Sequence, residues 1–314
     1  VTDTTRGERT RFHWWRIVQA VLALAVIGLA VRSLVANWSD LRTQPVQWRI
    51  GPGWLILSVA IVWAMYAILV EAWRLVVLGM QQRLRYLDAA RICMVANLGK
   101  YIPGKVWSIA GAAMLAQRAG VSPSAAVAAG ALIQALSLSS GVLVVAVLAP
   151  RALGAMSPAM KAATLVVGGL AALGVLALSS ARALAMLQRW LPERIPRLVP
   201  IPRGATLLAF AANAAGWGAY GAAFLSLARG LMPEVQVTWV QATTVFAASY
   251  VVGLVAVFAP AGLGPRESLF VLLLMDPLGP KGAVALAIAT RVLLTITELG
   301  AAVPFLLAPK GAPR

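Results

Sequence analysis

The sequence predicts an all-α polytopic integral membrane protein with about seven to eight transmembrane helices and two broken or re-entrant helical hairpins. Three observations carry that expectation. Of the 314 residues, 61% are hydrophobic and only 12% charged, where a soluble domain carries about a quarter charged. The apolar residues fall in runs near the roughly 20 residues that a helix needs to cross a hydrocarbon core of about 30 Å. Two further stretches are interrupted by clustered proline and glycine. A mean hydropathy of +0.83 excludes an ordinary soluble enzyme, and so much apolar material also excludes a disordered chain.

The formal charge is +17, from 27 Lys and Arg against 10 Asp and Glu. In a soluble protein that excess would point to nucleic acid. Here the basic residues lie between apolar runs, so they read as topology signals and no nucleic-acid partner is expected. The single cysteine, Cys93, excludes a disulfide framework and is read as a packing residue; the single histidine, His13, removes most histidine chemistry.

The elements follow in order. A basic tail, 1–16, holds Arg6, Arg9, Arg11 and Arg16. The first span runs from Ile17 to about Val35. A cleaved signal peptide is its rival, but the run is long for one and no small-residue cleavage site follows cleanly. The second span, Pro52 to Leu78, carries Glu71 and Arg74, which three-residue spacing places on one face as a salt bridge. Ala125 to Ala149 and Ala159 to Ser180 are long enough to span. In the first of these, Gln134 is read as a helix–helix contact. Residues 181–203 form a polar connection. Ala205 to Leu227 spans again, with Gly216, Gly218 and Gly221 as a small-residue face. Thr238 to Ala259 ends at Pro260, and Ala283 to Leu307 is the last run before a short basic tail, 309–314. Residues 17–308 therefore read as one transmembrane domain.

Loop charge sets the expected orientation. The tail holds four positive residues, 79–124 six and 181–203 five, while the intervening loops are poorer. The N-terminus is expected in the cytoplasm. Trp14, Trp15, Trp38, Trp48, Trp54, Trp190 and Trp239 fall near run ends, as interfacial anchors should.

The two broken stretches carry the functional expectation. The first is Asn97-Leu98-Gly99-Lys100-Tyr101-Ile102-Pro103-Gly104-Lys105-Val106-Trp107, with short arms at about 86–101 and 105–118. The second is Ala259-Pro260-Ala261-Gly262-Leu263-Gly264-Pro265-Arg266-Glu267, followed by a short helix at about 267–275 and a further break over Asp276-Pro277-Leu278-Gly279-Pro280. Proline removes a donor and glycine frees the backbone, and irregular backbone at membrane depth persists only inside protein or beside a wet cavity. Pro103 and Pro260 are 157 residues apart, as are Pro123 and Pro280, and Gln134 and Arg291. If each hairpin returns to its starting side, the first half, about 1–157, contains three crossings, so the second, 158–314, is inverted and the hairpins come in from opposite faces. The rival is a full crossing by 238–260, which changes the parity of the later segments.

The stretch from Asn97 to Trp107 followed by Gly120-Val121-Ser122, together with Pro260-Ala261-Gly262-Leu263-Gly264-Pro265-Arg266-Glu267, resembles the lysylphosphatidylglycerol synthase transmembrane-region family, also called flippase-like. The resemblance covers nearly the whole chain. It implies a bacterial inner-membrane protein engaged in lipid translocation between leaflets or in a lipid-linked pathway. Some relatives add a cytosolic aminoacyl-transferase domain that makes lysylated lipid. This sequence stops at Arg314 without one, so a stand-alone member without synthase activity is expected.

The candidate residues for binding a lipid headgroup are Lys100, Pro103, Gly104, Lys105, Gly262, Gly264, Arg266, Glu267 and Arg291. Intramembrane charges are costly and are functional candidates by default. Lys100 and Lys105 hold a lipid phosphate or serve as positive-inside anchors. Arg266 and Glu267 bind a headgroup or pair to stabilise the break. Arg291 is a ligand or, preferably, the partner of Glu267 or Glu298. There is no Walker loop, no GxSxG, no His-rich metal spacing and no catalytic carboxylate pair, so no cofactor, metal or catalytic residue is expected. The expected partners are phospholipid or lipid-linked headgroups and membrane lipids. The alternatives are a non-transporting partner of a separate transferase enzyme, and an intramembrane lipid-modifying enzyme with Glu267 as base.

Overall fold

Helix starts are written into the local sequence. Ser122 caps a helix that opens on Pro123: its Oγ accepts from Ala125 N at 3.1 Å. Thr238 and Gln241 form a reciprocal capping box, with Gln241 Oε1 accepting from Thr238 N at 2.9 Å and Thr238 Oγ1 from Gln241 N at 3.2 Å.

The structure is a computed structural model that describes residues 50–101, 106–152, 201–255 and 264–307, with Gly262 and isolated positions between 162 and 189. Its elements are α1 (Pro52–Gly79), α2 (Tyr86–Asn97), a 3-10 turn (Leu98–Tyr101), α3 (Val106–Arg118), α4 (Pro123–Ala152), α5 (Arg203–Leu231), α6 (Trp239–Val255) and α7 (Pro265–Leu307). Gly279, with φ 67° and ψ 165°, is non-helical and divides α7 into arms at 265–278 (α7a) and 280–307 (α7b). No strand occurs among the described residues. The tail 1–16, the span 17–35, most of the span 159–180, most of the connection 181–200, Pro103, Gly104, Lys105, Pro260, Ala261, Leu263 and the tail 309–314 lie outside the described residues, as do Trp14, Trp15, Trp38, Trp48 and Trp190.

Among the described residues, three helices are long and apolar enough to cross a membrane: Pro52–Gly79, Pro123–Pro150 and Pro265–Leu307. At 1.5 Å per residue, α7b alone runs about 42 Å. Their outward faces are apolar too; Ile56, Ile68, Leu272, Ile288 and Ile296 are all more than half exposed, which suits lipid rather than water. α5 has 29 residues, but Asn213, Trp217, Tyr220 and its glycines dilute the run. α6 is shorter, at 17 residues.

The break expected over Asp276–Pro280 is narrower than the letters suggest. Pro277 lies inside the helix and only Gly279 departs from it. A proline in the last turn forfeits one hydrogen bond without forcing the chain out, whereas Pro280 opens the next arm, where its missing N–H costs nothing.

The layout recurs. α4 begins at Pro123 and α7b at Pro280, 157 residues on. Each is preceded by a short helix, α3 or α7a, and each packs against two described helices of the other half: α4 on α5 and α6, α7 on α1 and α2. α1 packs along α5.

Two apolar clusters join these helices. One gathers Val62, Met65 and Tyr66 of α1 with Trp217 and Phe224 of α5, Phe246 of α6 and Phe270 and Leu286 of α7. The other gathers Val76 and Val77 with Ile92, Val121 and Leu136; Cys93 packs at its edge. Close approach depends on small residues, because lipid supplies no hydrophobic drive between helices. A Cβ on Gly141 would meet Val251 at 2.9 Å and Trp217 at 3.0 Å, and one on Gly221 would collide with Thr243. At the first crossing Trp217 Nε1 donates to Ser140 Oγ at 3.1 Å. Ser140→Ala is expected to cost about 0.6 kcal/mol, the average for an interhelical hydrogen bond in a membrane protein. A lowered thermal midpoint in detergent, with unchanged helix content, is the readout.

Candidate functional site

Each break delivers its polar side chains through a specific backbone device. In the first, α2 tightens into the 3-10 turn, and α2 and α3 pack against each other across the break. Gly99 permits this: a Cβ there would lie 2.6 Å from Ser108 N and 2.8 Å from Ser108 Cα. Lys100 and Tyr101 then project towards α7b.

In the second, Gly264-Pro265-Arg266-Glu267 is a helix start. Gly264 has φ 93°, Pro265 occupies the first helical position, and Glu267 Oε2 accepts from Gly264 N at 2.9 Å. This is the acidic half of a capping box. Gly253 and Gly262 let α7a press against α6: a Cβ on Gly253 would lie 2.9 Å from Arg266 Cβ, and one on Gly262 would lie 3.0 Å from Gly253 O.

The two breaks meet. Lys100 Nζ donates to Glu298 Oε1 at 2.6 Å. Tyr101 OH donates to Glu298 Oε2 at 2.6 Å and lies 3.3 Å from Thr295 Oγ1. The Tyr101 ring also sits beneath Arg291, whose Cζ is 6.0 Å from its centroid. Arg291 Nη1 lies 3.7 Å from Glu267 Oε1. Next to Glu267, Arg266 is 8% exposed and faces the rings of Phe246 and Tyr250 at 5.2 and 5.3 Å. The polar chain therefore runs through Lys100, Glu298, Tyr101, Arg291 and Glu267, with Arg266 next to it in sequence. Arg266 and Arg291 both lie within electrostatic reach of Lys100.

Its depth follows from helix length. Arg291 and Glu298 straddle the centre of α7b. Tyr66, near the centre of α1, has its hydroxyl 3.5 Å from Thr297 Oγ1, and Trp63 Nε1 donates to Thr297 O at 3.1 Å. A small void of about 10 Å³ lies among Arg266, Glu267, Phe270, Ala287, Thr290 and Arg291, room for about one water molecule.

Of the residues expected at the site, Lys100, Arg266, Glu267 and Arg291 come together, and Gly262 and Gly264 shape the backbone behind them. Arg291 is indeed the partner of Glu267. Arg266 and Glu267 do not pair with each other, because adjacent helical positions point away from one another. Glu71 and Arg74 form their expected salt bridge at 2.8 Å, away from the cluster. Tyr101 was not singled out as a member, and Glu298 was expected only as a partner for Arg291, whereas it pairs with Lys100. Among the described residues, no group of three or more His, Cys, Asp or Glu is placed to hold a metal ion.

A search of the curated proteins finds no match. The family model of the lysylphosphatidylglycerol synthase TM region matches residues 16–300, a range that takes in both breaks and the whole polar cluster; the chain is a membrane protein and belongs to that family.

Proposed function

We propose that the protein binds the phosphate of a lipid headgroup at the cluster and carries it between leaflets. The observation that carries this reading is the convergence of three cations, Lys100, Arg266 and Arg291, on the mid-length of α7b. Moving a charged headgroup through hydrocarbon requires replacement polar contacts, and side chains held at broken helices supply them. The repeated layout, with each half's last helix packed on the other half, supports an inverted repeat whose hairpins enter from opposite faces. The void is too small for a phosphate. On this reading the described state is closed, and a headgroup enters as α7a and α7b part at Gly279, with the Arg291–Glu267 contact broken. Loop charge supports an N-terminus in the cytoplasm.

Reconstituted vesicles test this. Wild-type protein should move a fluorescent phospholipid between leaflets faster than empty vesicles do. Arg266→Ala should bring that rate down to the empty-vesicle level while keeping helix content. Wild-type movement at the empty-vesicle rate would sink the proposal.

A further inference from the structure

We infer that the cluster selects a phosphodiester lipid of net charge −1 and disfavours a headgroup made cationic by an amino-acid ester, a selectivity that rests on the headgroup-binding reading above. The observation is charge balance. Lys100 and Glu298 cancel, and so do Arg291 and Glu267. Arg266 has no carboxylate in salt-bridge range among the described residues; two aromatic faces hold it instead. Among the described residues, three cations against two carboxylates leave one positive charge.

The other acidic side chains do not alter this. Among the described residues, Glu71 is taken by Arg74, Asp88 lies in the first turn of α2, twelve residues before Lys100, and Glu234 and Asp276 are exposed. Lys281 is buried, but it lies ten residues before Arg291, about 15 Å along the helix.

An uncompensated charge away from water is costly, and ring faces repay only part of that. A phosphodiester with no amine brings the cluster to neutrality. A zwitterionic headgroup leaves it at +1. A lysylated phosphatidylglycerol, with one phosphate and two ammonium groups, raises it to +2, and its amines would have to displace Lys100 or Arg291 to reach a carboxylate. The order of preference is therefore anionic, then zwitterionic, then cationic.

The test is native mass spectrometry of the full chain in neutral detergent with equimolar phosphatidylglycerol, phosphatidylethanolamine and lysyl-phosphatidylglycerol. Phosphatidylglycerol should be retained about fivefold or more over phosphatidylethanolamine, the scale of one basic contact to an anionic lipid, and the lysylated lipid least. Two isosteric changes should act in opposite directions. Arg266→Gln should bring the ratio towards one, and Glu298→Gln should raise it. Neither side chain reaches the lipid-facing surface, so adventitious surface binding would leave the ratio unmoved in both variants, and that result overturns the inference. Equal or better retention of the lysylated lipid overturns it too, as does retention of none of the three. Vesicle assays on the same preparations separate the two claims: selective retention of phosphatidylglycerol without any lipid movement would remove translocation and leave the charge selectivity standing.

Discussion

Gly262→Ala is expected to abolish headgroup retention and to destabilise the protein by about 2 kcal/mol or more, because the left-handed backbone alone costs an L-residue about 1–2 kcal/mol. Gly262 has φ 71°, and a Cβ there would meet O, Cα and C of Gly253 at 3.0, 3.1 and 3.2 Å. All three are backbone atoms, so no side chain can rotate away. The strain falls on the contact that positions Arg266. Gly120→Ala is the matched control. Gly120 has φ 77° but nothing within 4 Å of its added Cβ, and it ends α3 with Val121 N donating to Ala116 O at 2.9 Å, a helix C-cap far from the cluster. That variant should lose about 1 kcal/mol from backbone strain alone and keep its lipid. Thermal unfolding in detergent gives the first comparison and lipid retention the second. Equal behaviour of the two variants would show that crowding at Gly253 is unimportant.

What the letters could reveal divides along physical lines. Both breaks were legible because proline and glycine act locally, on their own hydrogen bonds and dihedral angles. The arms at about 86–101 and 105–118 match α2 with its 3-10 turn and α3 closely for the same reason. Pro277 misled, since a proline's effect depends on how many turns come after it. Glu267 was expected to bind a headgroup or pair with an arginine, and the structure adds a capping bond from Gly264 N. Glu298 was different. Its helix neighbour Arg291 offered one partner, but the one it takes, Lys100, is 198 residues away. The rings under Arg266 were equally hidden, because Phe246 and Tyr250 look like ordinary lipid-span aromatics until α6 crosses α7a at Gly253. The offset of 157 linked Gln134 to Arg291, but it also links Gly141 to Glu298 and Ile109 to Arg266. The proline starts at 123 and 280 keep that offset while the charge does not, so the spacing could point to the breaks without saying which one carries the cations.

Glu298→Ala is expected to destabilise the protein by about 3 kcal/mol or more, the cost of leaving a poorly solvated charge without its partner. The carboxylate is 8% exposed and holds both Lys100 Nζ and Tyr101 OH at 2.6 Å, so it ties the first break to α7b by two charge-assisted bonds. Its removal would leave three cations facing Glu267 alone. Lys100→Met tests whether the loss belongs to the pair. If Glu298 is costly chiefly because Lys100 must be neutralised, the double variant should be more stable than the sum of the single changes predicts, by at least about 1 kcal/mol. Thermal or denaturant unfolding of the four proteins closes that cycle. Simple additivity would mean that Lys100 is solvated in its own right, and that Tyr101 alone fastens the first break. A positive coupling has a functional consequence. A phosphate that takes over Lys100 would release Glu298 from its stronger bond, so headgroup arrival would loosen the same contact that holds the two broken segments together.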